Sequence, residues 1–469
     1  MCAYAILIAA DEGLTVSAGE QSAWLFTTLC KLYPDAVCDR SDAPATDFAT
    51  ERTLGLRLAR GAQMDGAPAA AAEYARRLSR AARYDFGTLT DQSVRALYGN
   101  TVFLSASRID RFATCRFHFF LRDGLKAKER RAASFDAPIY GTLVHSVLER
   151  AVQQVMAEGG FRQVSRERMR ELVSAHLDAC LRDMVDPTLL SSGRFSYLMG
   201  RNYDEILRVS DVLYDELHDS RFEPTDFELT FGSGGELPPV QTASGDGVVS
   251  GAVDRVDVAE IGGRTYYRVV DYKTGRKDFD YTDLLERRGL QMLIYLFALE
   301  QHGAERYGGP IRPAGVLYVP AHDDMLRFPV RPADDAEMDR ERLKSHRRKG
   351  LLMNDDCILQ AMDPCGEAES DLLPFKKTKA GLTGDLMDPG QLAMLRRYVD
   401  SALRSVTEEI RRGNVRPNPY TQGPAGSCTW CPYADVCHLD LCENELRSLR
   451  ATSAAEFWAR LAEREARNG

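Results

Sequence analysis

The chain has 469 residues, of which 44% are hydrophobic and 28% charged, and carries a formal net charge of −9 at pH 7. This is an ordinary globular composition with length for two or three domains, and it excludes a protein coated in basic surface. Nucleic acid stays open as a ligand, because an enzyme needs a basic groove and not a basic whole.

The apolar opening Met1–Ala10 is too short to span a bilayer and follows no basic segment; no other stretch approaches transmembrane length, so a cytoplasmic location is expected. The 11 cysteines are an odd number and Cys2, Cys30, Cys38 and Cys180 stand singly, which reads as reduced thiols and not as a disulfide framework.

Residues 1–100 are Ala-rich with helical periodicity and carry no motif with chemistry. From Ser105 the character changes. Ser105 is an N-cap candidate for an amphipathic helix that runs through Cys115 into the aromatic patch Phe117–Phe120. Gly141-Thr-Leu-Val-His145 reads as a glycine turn followed by a long helix, and 163–220 continue as helix. Strand character occupies Phe227 to Asp271. A helix (Leu284–Gln301), a strand (Ala314–Val319), a charged helix (Asp335–Lys349) and a terminal helix (Pro389–Arg412) follow. Helices around a short central sheet make the class α/β. Basic stretches lie at Arg116–Arg131, Arg340–Lys349 and Lys376–Lys379; taken singly, each reads as a solvated face.

Gly262-Gly263 between two strand patterns is a two-residue hairpin signal, since both turn positions favour positive φ. Counting back from that turn sets Asp254 directly opposite Asp271, with Lys273 on the same face as Asp271. Two opposed carboxylates destabilise each other unless a cation lies between them, and oxygen ligands suit Mg²⁺ or Mn²⁺. Lys273 would orient a water or offset transition-state charge. Gln291 and Tyr295 stand one helical turn apart, where they could touch a DNA strand or equally form a polar cap on a core helix. His145 sits among Leu143, Val144, Val147 and Leu148 and by itself reads as a core histidine; Glu228, among aromatics on a strand, is the weakest candidate.

Near the C-terminus, Cys428-Thr-Trp-Cys431-Pro-Tyr-Ala-Asp-Val-Cys437 places three thiols within ten residues, a metal or iron–sulfur knuckle. A fourth ligand is required. Cys442 is nearest and would complete a compact zinc site.

Taken in order, Gly141…His145, Gly251-Ala-Val-Asp254-Arg-Val-Asp, Val270-Asp271-Tyr-Lys273 and Gln291-Met-Leu-Ile-Tyr295 resemble RecB-type PD-(D/E)XK nucleases. With Ser105…Cys115 and the C-terminal cysteines added, the match is closer to the nuclease domain of AddB-type subunits of AddAB helicase–nucleases, over about residues 101–442. The resemblance implies a restriction-endonuclease-like core, with a short mixed sheet, a helical insert at about 160–222, and a domain over 101–445 followed by a helical tail, 446–469. It implies His145, Asp254 and Asp271 as ligands of Mg²⁺, Lys273 as catalytic lysine, and Gln291 and Tyr295 as substrate contacts. It also selects Cys115 as the partner of Cys428, Cys431 and Cys437 around a [4Fe–4S] cluster, ahead of zinc. Implied with these are DNA ends, single-stranded or duplex, as substrate, an AddA-type helicase partner, and a role in recombinational repair. Residues 1–100 would be the remnant of a helicase-like region. No Gly-x-x-x-x-Gly-Lys-Ser/Thr occurs in the chain, so no ATPase activity is expected from it. A self-contained single-strand exonuclease and a catalytically idle DNA-binding scaffold are the competing readings.

Overall fold

The structure is a computed structural model that describes residues 87–128, 137–184, 193–275, 277–322, 335–364, 370–379, 381–421, 426–437, 439 and 446–468. The chain divides into two compact units, Met1–Gly87 and Thr88–Gly469, and the second holds nearly everything described here. The expected helicase-like remnant therefore lies almost wholly outside the described residues.

Ser105 caps helix α1 (Ala106–Thr114), its hydroxyl accepting from the Arg108 amide at 3.4 Å. The aromatic patch that follows closes the core: Phe119 stacks on Tyr98 and meets Phe112 edge-on. Helix α2 (Ala137–Ala157) begins before Gly141 and not after it, which corrects the expected glycine turn. Gly141 serves close approach instead: a Cβ there would stand 3.0 Å from Thr274 Oγ1. The insert consists of α3 (Arg166–Met184) and α4 (Gly193–Asp219), and Tyr214 ties α4 back by donating to the Val164 carbonyl.

Six strands form the central sheet: β1 (Glu223–Phe231), β2 (Gly251–Ile261), β3 (Arg264–Lys273), β4 (Ile311–Pro320), β5 (Lys349–Met353) and β6 (Leu386–Met387), side by side in chain order. Gly262 and Gly263 have φ of 58° and 72° and turn β2 into β3 with Ile261 opposite Arg264, the register the sequence predicts. β3 and β4 are parallel, so the chain must cross over between them, and helix α5 (Gln291–His302) makes the crossing. α5 is buried along Met292–Leu299, which explains its nearly all-round apolar sequence.

The helix expected over Leu284–Gln301 is broken. A short helix, Tyr281–Leu285, ends where Arg287 (φ 62°) and Gly289 (φ 64°) reverse the backbone, and α5 starts afresh at Gln291. The break is held from both sides: Asp110 of α1 accepts from the Gly289 amide at 2.9 Å, and Arg287 reaches Glu409 at 2.8 Å. Glu409 belongs to α6 (Pro389–Arg411), which opens on a capping box between Asp388 and Gln391. The last helix, α7 (Ala454–Asn468), buries Phe457 and Leu461 in the core.

Beneath the sheet lies a wholly buried ion network. Asp257 accepts from Arg255 (2.7 Å) and Arg268 (2.8 Å), and Glu216 of α4 pairs with Arg268 (3.0 Å) and Arg348 (2.7 Å). Burial alone would raise the Glu216 carboxyl, but Arg348, Arg268 and Arg255 outweigh it and hold the pKa down at about 2. The network fastens the insert to the hairpin that carries the candidate carboxylates.

Candidate active site

Asp254 and Asp271 stand one step beyond the last paired residues of the hairpin, Arg255 and Val270. The Asp254 carboxylate accepts from the Tyr272 amide at 3.1 Å, and its Oδ2 lies 3.2 Å from Nδ1 of His145. His145 is thus turned out of the apolar face formed by Leu143, Val144, Val147 and Leu148 and toward the strands. Its ring meets the Tyr272 ring edge-on at 5.8 Å, and the Tyr272 hydroxyl accepts from Arg255 of the buried network.

Three residues bring ligand atoms within 4.8 Å of one another: His145, Asp254 and Glu228. Glu228, the weakest candidate by sequence, is therefore brought together with His145 and Asp254, its side chain the exposed one of the three. On β1 it lies between Phe227, opposite Arg255, and Leu229, opposite Val253, so it faces Asp254. Its φ is 46°, a left-handed conformation unfavourable for a side chain with a Cβ and unusual inside a strand. No residue pattern announces that twist; the only sequence signal was an acid between aromatics.

Asp271 is buried and stands beside this trio. Its Oδ2 lies 2.5 Å from Lys273 Nζ and its Oδ1 accepts from Gln291 Nε2 at 3.1 Å. Gln291 also donates to the Tyr295 hydroxyl at 3.3 Å. The start of α5 thereby holds the carboxylate of β3, as the crossover topology allows. Tyr295 is 6% exposed and packs edge-on against Phe231, with burial pushing its pKa up to about 12. Gln291 and Tyr295 share the helix face the sequence predicts, and that face looks at Asp271.

The electrostatics suit a cation. Burial, and then the charge of Asp271, push the Asp254 pKa up to about 8. Burial lowers the His145 pKa against the pull of Asp271, which favours the neutral imidazole that a metal ion requires. Asp271 Oδ2 is buried without a well-formed hydrogen bond, its counter-charge being Lys273. Carboxylates and one neutral imidazole form a donor set that fits a small divalent ion.

The distant cysteines come together. Cys115 ends α1, and it lies within electrostatic reach of both Cys428 and Cys431; burial raises both thiols and Cys115 raises them further. Cys437 is buried close by in chain terms, at the end of a short helix, Ala434–Cys437. The segments are clamped around them. Arg447 donates to the carbonyls of Ala113 (2.5 Å) and Thr114 (2.9 Å) and lies over the Tyr420 ring. The Arg116 amide donates to Asn418, and Tyr433 reaches the Ala127 carbonyl. The described cysteines form no disulfide. Cys442, the local alternative ligand, lies outside the described residues. Among the described residues, no helix is long and apolar enough to cross a membrane.

Comparison with known proteins gives the family. Curated relatives named as B-type subunits of an ATP-dependent helicase/deoxyribonuclease include proteins of Acetivibrio thermocellus, 33% identical over 80% of this chain, and Ruminiclostridium cellulolyticum, 32% identical over 78%. That of Exiguobacterium sibiricum is 30% identical over 80%. The chain spans about a third of the length of these relatives, 33%, 32% and 34% respectively. The sequence model of the PD-(D/E)XK nuclease superfamily matches residues 103–438, which contain every site residue named above, and the chain belongs to that superfamily.

Proposed function

We propose that this chain carries the deoxyribonuclease site of a helicase–nuclease, hydrolysing phosphodiester bonds at DNA ends, single-stranded or duplex, in double-strand-break repair. The observation that carries the proposal is the convergence of His145, Glu228 and Asp254 beside the Asp271–Lys273 pair. His145 and Asp254, with Glu228 or Asp271 as further ligands, would hold Mg²⁺ or Mn²⁺. Such an ion, when bound, polarises a phosphoryl oxygen and supplies a nucleophilic hydroxide.

The protein groups have separate tasks. The Tyr272 amide fixes the Asp254 carboxylate, and Gln291 fixes that of Asp271, so neither needs to reorient when charge develops. Lys273, held against Asp271, would supply positive charge to offset the negative charge on the phosphoryl oxygens of the pentacoordinate transition state. Cys115, Cys428, Cys431 and Cys437 would hold a [4Fe–4S] cluster. Its role is structural: it ties the first helix of the domain to its last segment across more than 300 residues of chain, and a restraint on so long a loop costs the unfolded state much entropy. Unwinding would come from an AddA-type partner, since no Gly-x-x-x-x-Gly-Lys-Ser/Thr motif occurs in this sequence.

Anaerobic purification followed by an absorption spectrum and an Mg²⁺-dependent nuclease assay tests both halves. The expected result is a brown protein that degrades single-stranded DNA only with the divalent ion. A colourless, zinc-loaded protein would overturn the cluster, and metal-independent cleavage would overturn the active site.

A further inference from the structure

A cavity of about 220 Å³ opens beside Lys273, lined by the ends of β3 and β4 and the start of β5. Its walls carry Lys273, Lys277, Lys344, Arg347 and Lys349, with His322, against one carboxylate, Asp278. Three of these cations come from the stretch Arg340–Lys349, which in sequence looks like a solvated face. The sheet gathers them: Tyr318 of β4 pairs with Lys349, and Lys273 pairs with Pro320. Lys273 Nζ stands 5.8 Å from the Tyr318 ring centroid, and that ring is itself 2% exposed.

We propose that this cavity is a phosphate subsite, which takes a backbone phosphate of the bound DNA strand adjacent to the one being cleaved. The inference rests on the nuclease reading and adds to it the path of the substrate. Five cations around a small polar space match a phosphodiester, and the Arg347 fork and lysine ammoniums are the groups that hold one. Three of the lysines have carboxylate partners, Lys273 with Asp271 (2.5 Å), Lys344 with Glu341 (2.6 Å) and Lys349 with Asp278 (3.7 Å), but of these acids only Asp278 lines the cavity, and it is 73% exposed. Among the described residues, the one six-membered aromatic ring lining the cavity, Tyr318, is buried and offers no open face on which a base could stack. The cavity therefore reads backbone and not sequence, and fixes the register of the strand over the metal ligands.

The test is the binding of a fluorescent single-stranded oligonucleotide to the full chain with Ca²⁺ in place of Mg²⁺, over a series of salt concentrations. The triple variant K344A/R347A/K349A should raise Kd by about tenfold or more, the worth of charge-assisted hydrogen bonds. Its log Kd against log salt should be shallower by about 0.7 for each phosphate it no longer neutralises. Replacing one linkage by an uncharged methylphosphonate should weaken the wild type and leave the variant indifferent. If the triple variant melts early, the single variants K349Q and R347Q report the same slope change at smaller amplitude. Equal salt slopes in variant and wild type, or an equal methylphosphonate penalty in both, would overturn the subsite. Failure of the nuclease reading looks different: no Mg²⁺-dependent cleavage by the wild type, with the salt slopes still distinct.

Discussion

The backbone amide of Tyr272 donates to Asp254 Oδ2 at 3.1 Å, so the strand that presents Asp271 and Lys273 also fixes the carboxylate across from them. The same tyrosine accepts from Arg255 through its hydroxyl. One residue thus links the candidate site to the buried ion network, and damage to that network should reach the site.

Arg268 is 0% exposed and serves both Asp257 and Glu216. Arg268→Met would leave two buried acids short of a counter-charge, at a cost of about 3–5 kcal/mol. Tyr272→Phe would leave one Arg255 N–H without its hydroxyl acceptor, at about 1–3 kcal/mol. Urea unfolding of the two variants should rank them in that order.

Glu228 combines a site carboxylate with a left-handed backbone. Glu228→Gly should therefore stabilise the metal-free protein by about 1–2 kcal/mol, the strain released at such a position. It should also lower cleavage in Mg²⁺ by about 10–100-fold or more, as loss of a metal-site partner does. Glu228→Gln, which keeps the strain, should lose cleavage without the gain in stability. Thermal melts and cleavage rates on the same preparations separate the two effects.

Asp254 gives the site a pH signature. Its folded pKa, about 8, lies above the ordinary value of 3.8, so between these limits the folded state binds a proton that the unfolded chain has released. Metal-free stability should thus fall as pH rises from about 4 to about 8. Asp254→Asn should flatten that fall. Apparent Mg²⁺ affinity should move the opposite way, weakening as pH drops below 8, because the ion competes with the proton. Melts at pH 6 and pH 9, with and without Mg²⁺, check both signs.

For the cysteines, Cys115→Ser should be as damaging as Cys431→Ser, and Cys442→Ser should be tolerated. Losing either end releases the bridge between α1 and the C-terminal segment. The signs to look for are loss of brown colour, early proteolysis between residues 413 and 442, and weaker binding to DNA ends. A chain that needs Cys442 and not Cys115 has a local zinc site.

The hairpin was legible in the sequence because its signal is local: Gly262-Gly263 demands a two-residue turn, and alternation then places Asp254 against Asp271. The Ser105 cap was legible for the same reason. The break at Arg287–Gly289 was not, since it is held by Asp110 and Glu409, more than a hundred residues away in either direction. Gly141 misled because glycine serves turns and close approaches alike, and only the position of Thr274 tells which. That Glu228 meets His145 and Asp254 could not be read from the sequence, because its placement goes with a backbone twist that residue types do not encode. The ion network was invisible in sequence: Arg255, Asp257, Arg268, Glu216 and Arg348 resemble surface charges until the sheet and α4 close over them.

The most direct test of the nuclease assignment is cleavage of single-stranded DNA by Asp271→Ala alongside the wild type, in Mg²⁺, with DNA binding and melting temperature measured on the same preparations. Asp271 pairs with Lys273 beside His145, Glu228 and Asp254, so on this proposal the variant should bind DNA and stay folded while its cleavage disappears. Cleavage by Asp271→Ala at the wild-type rate would contradict the account.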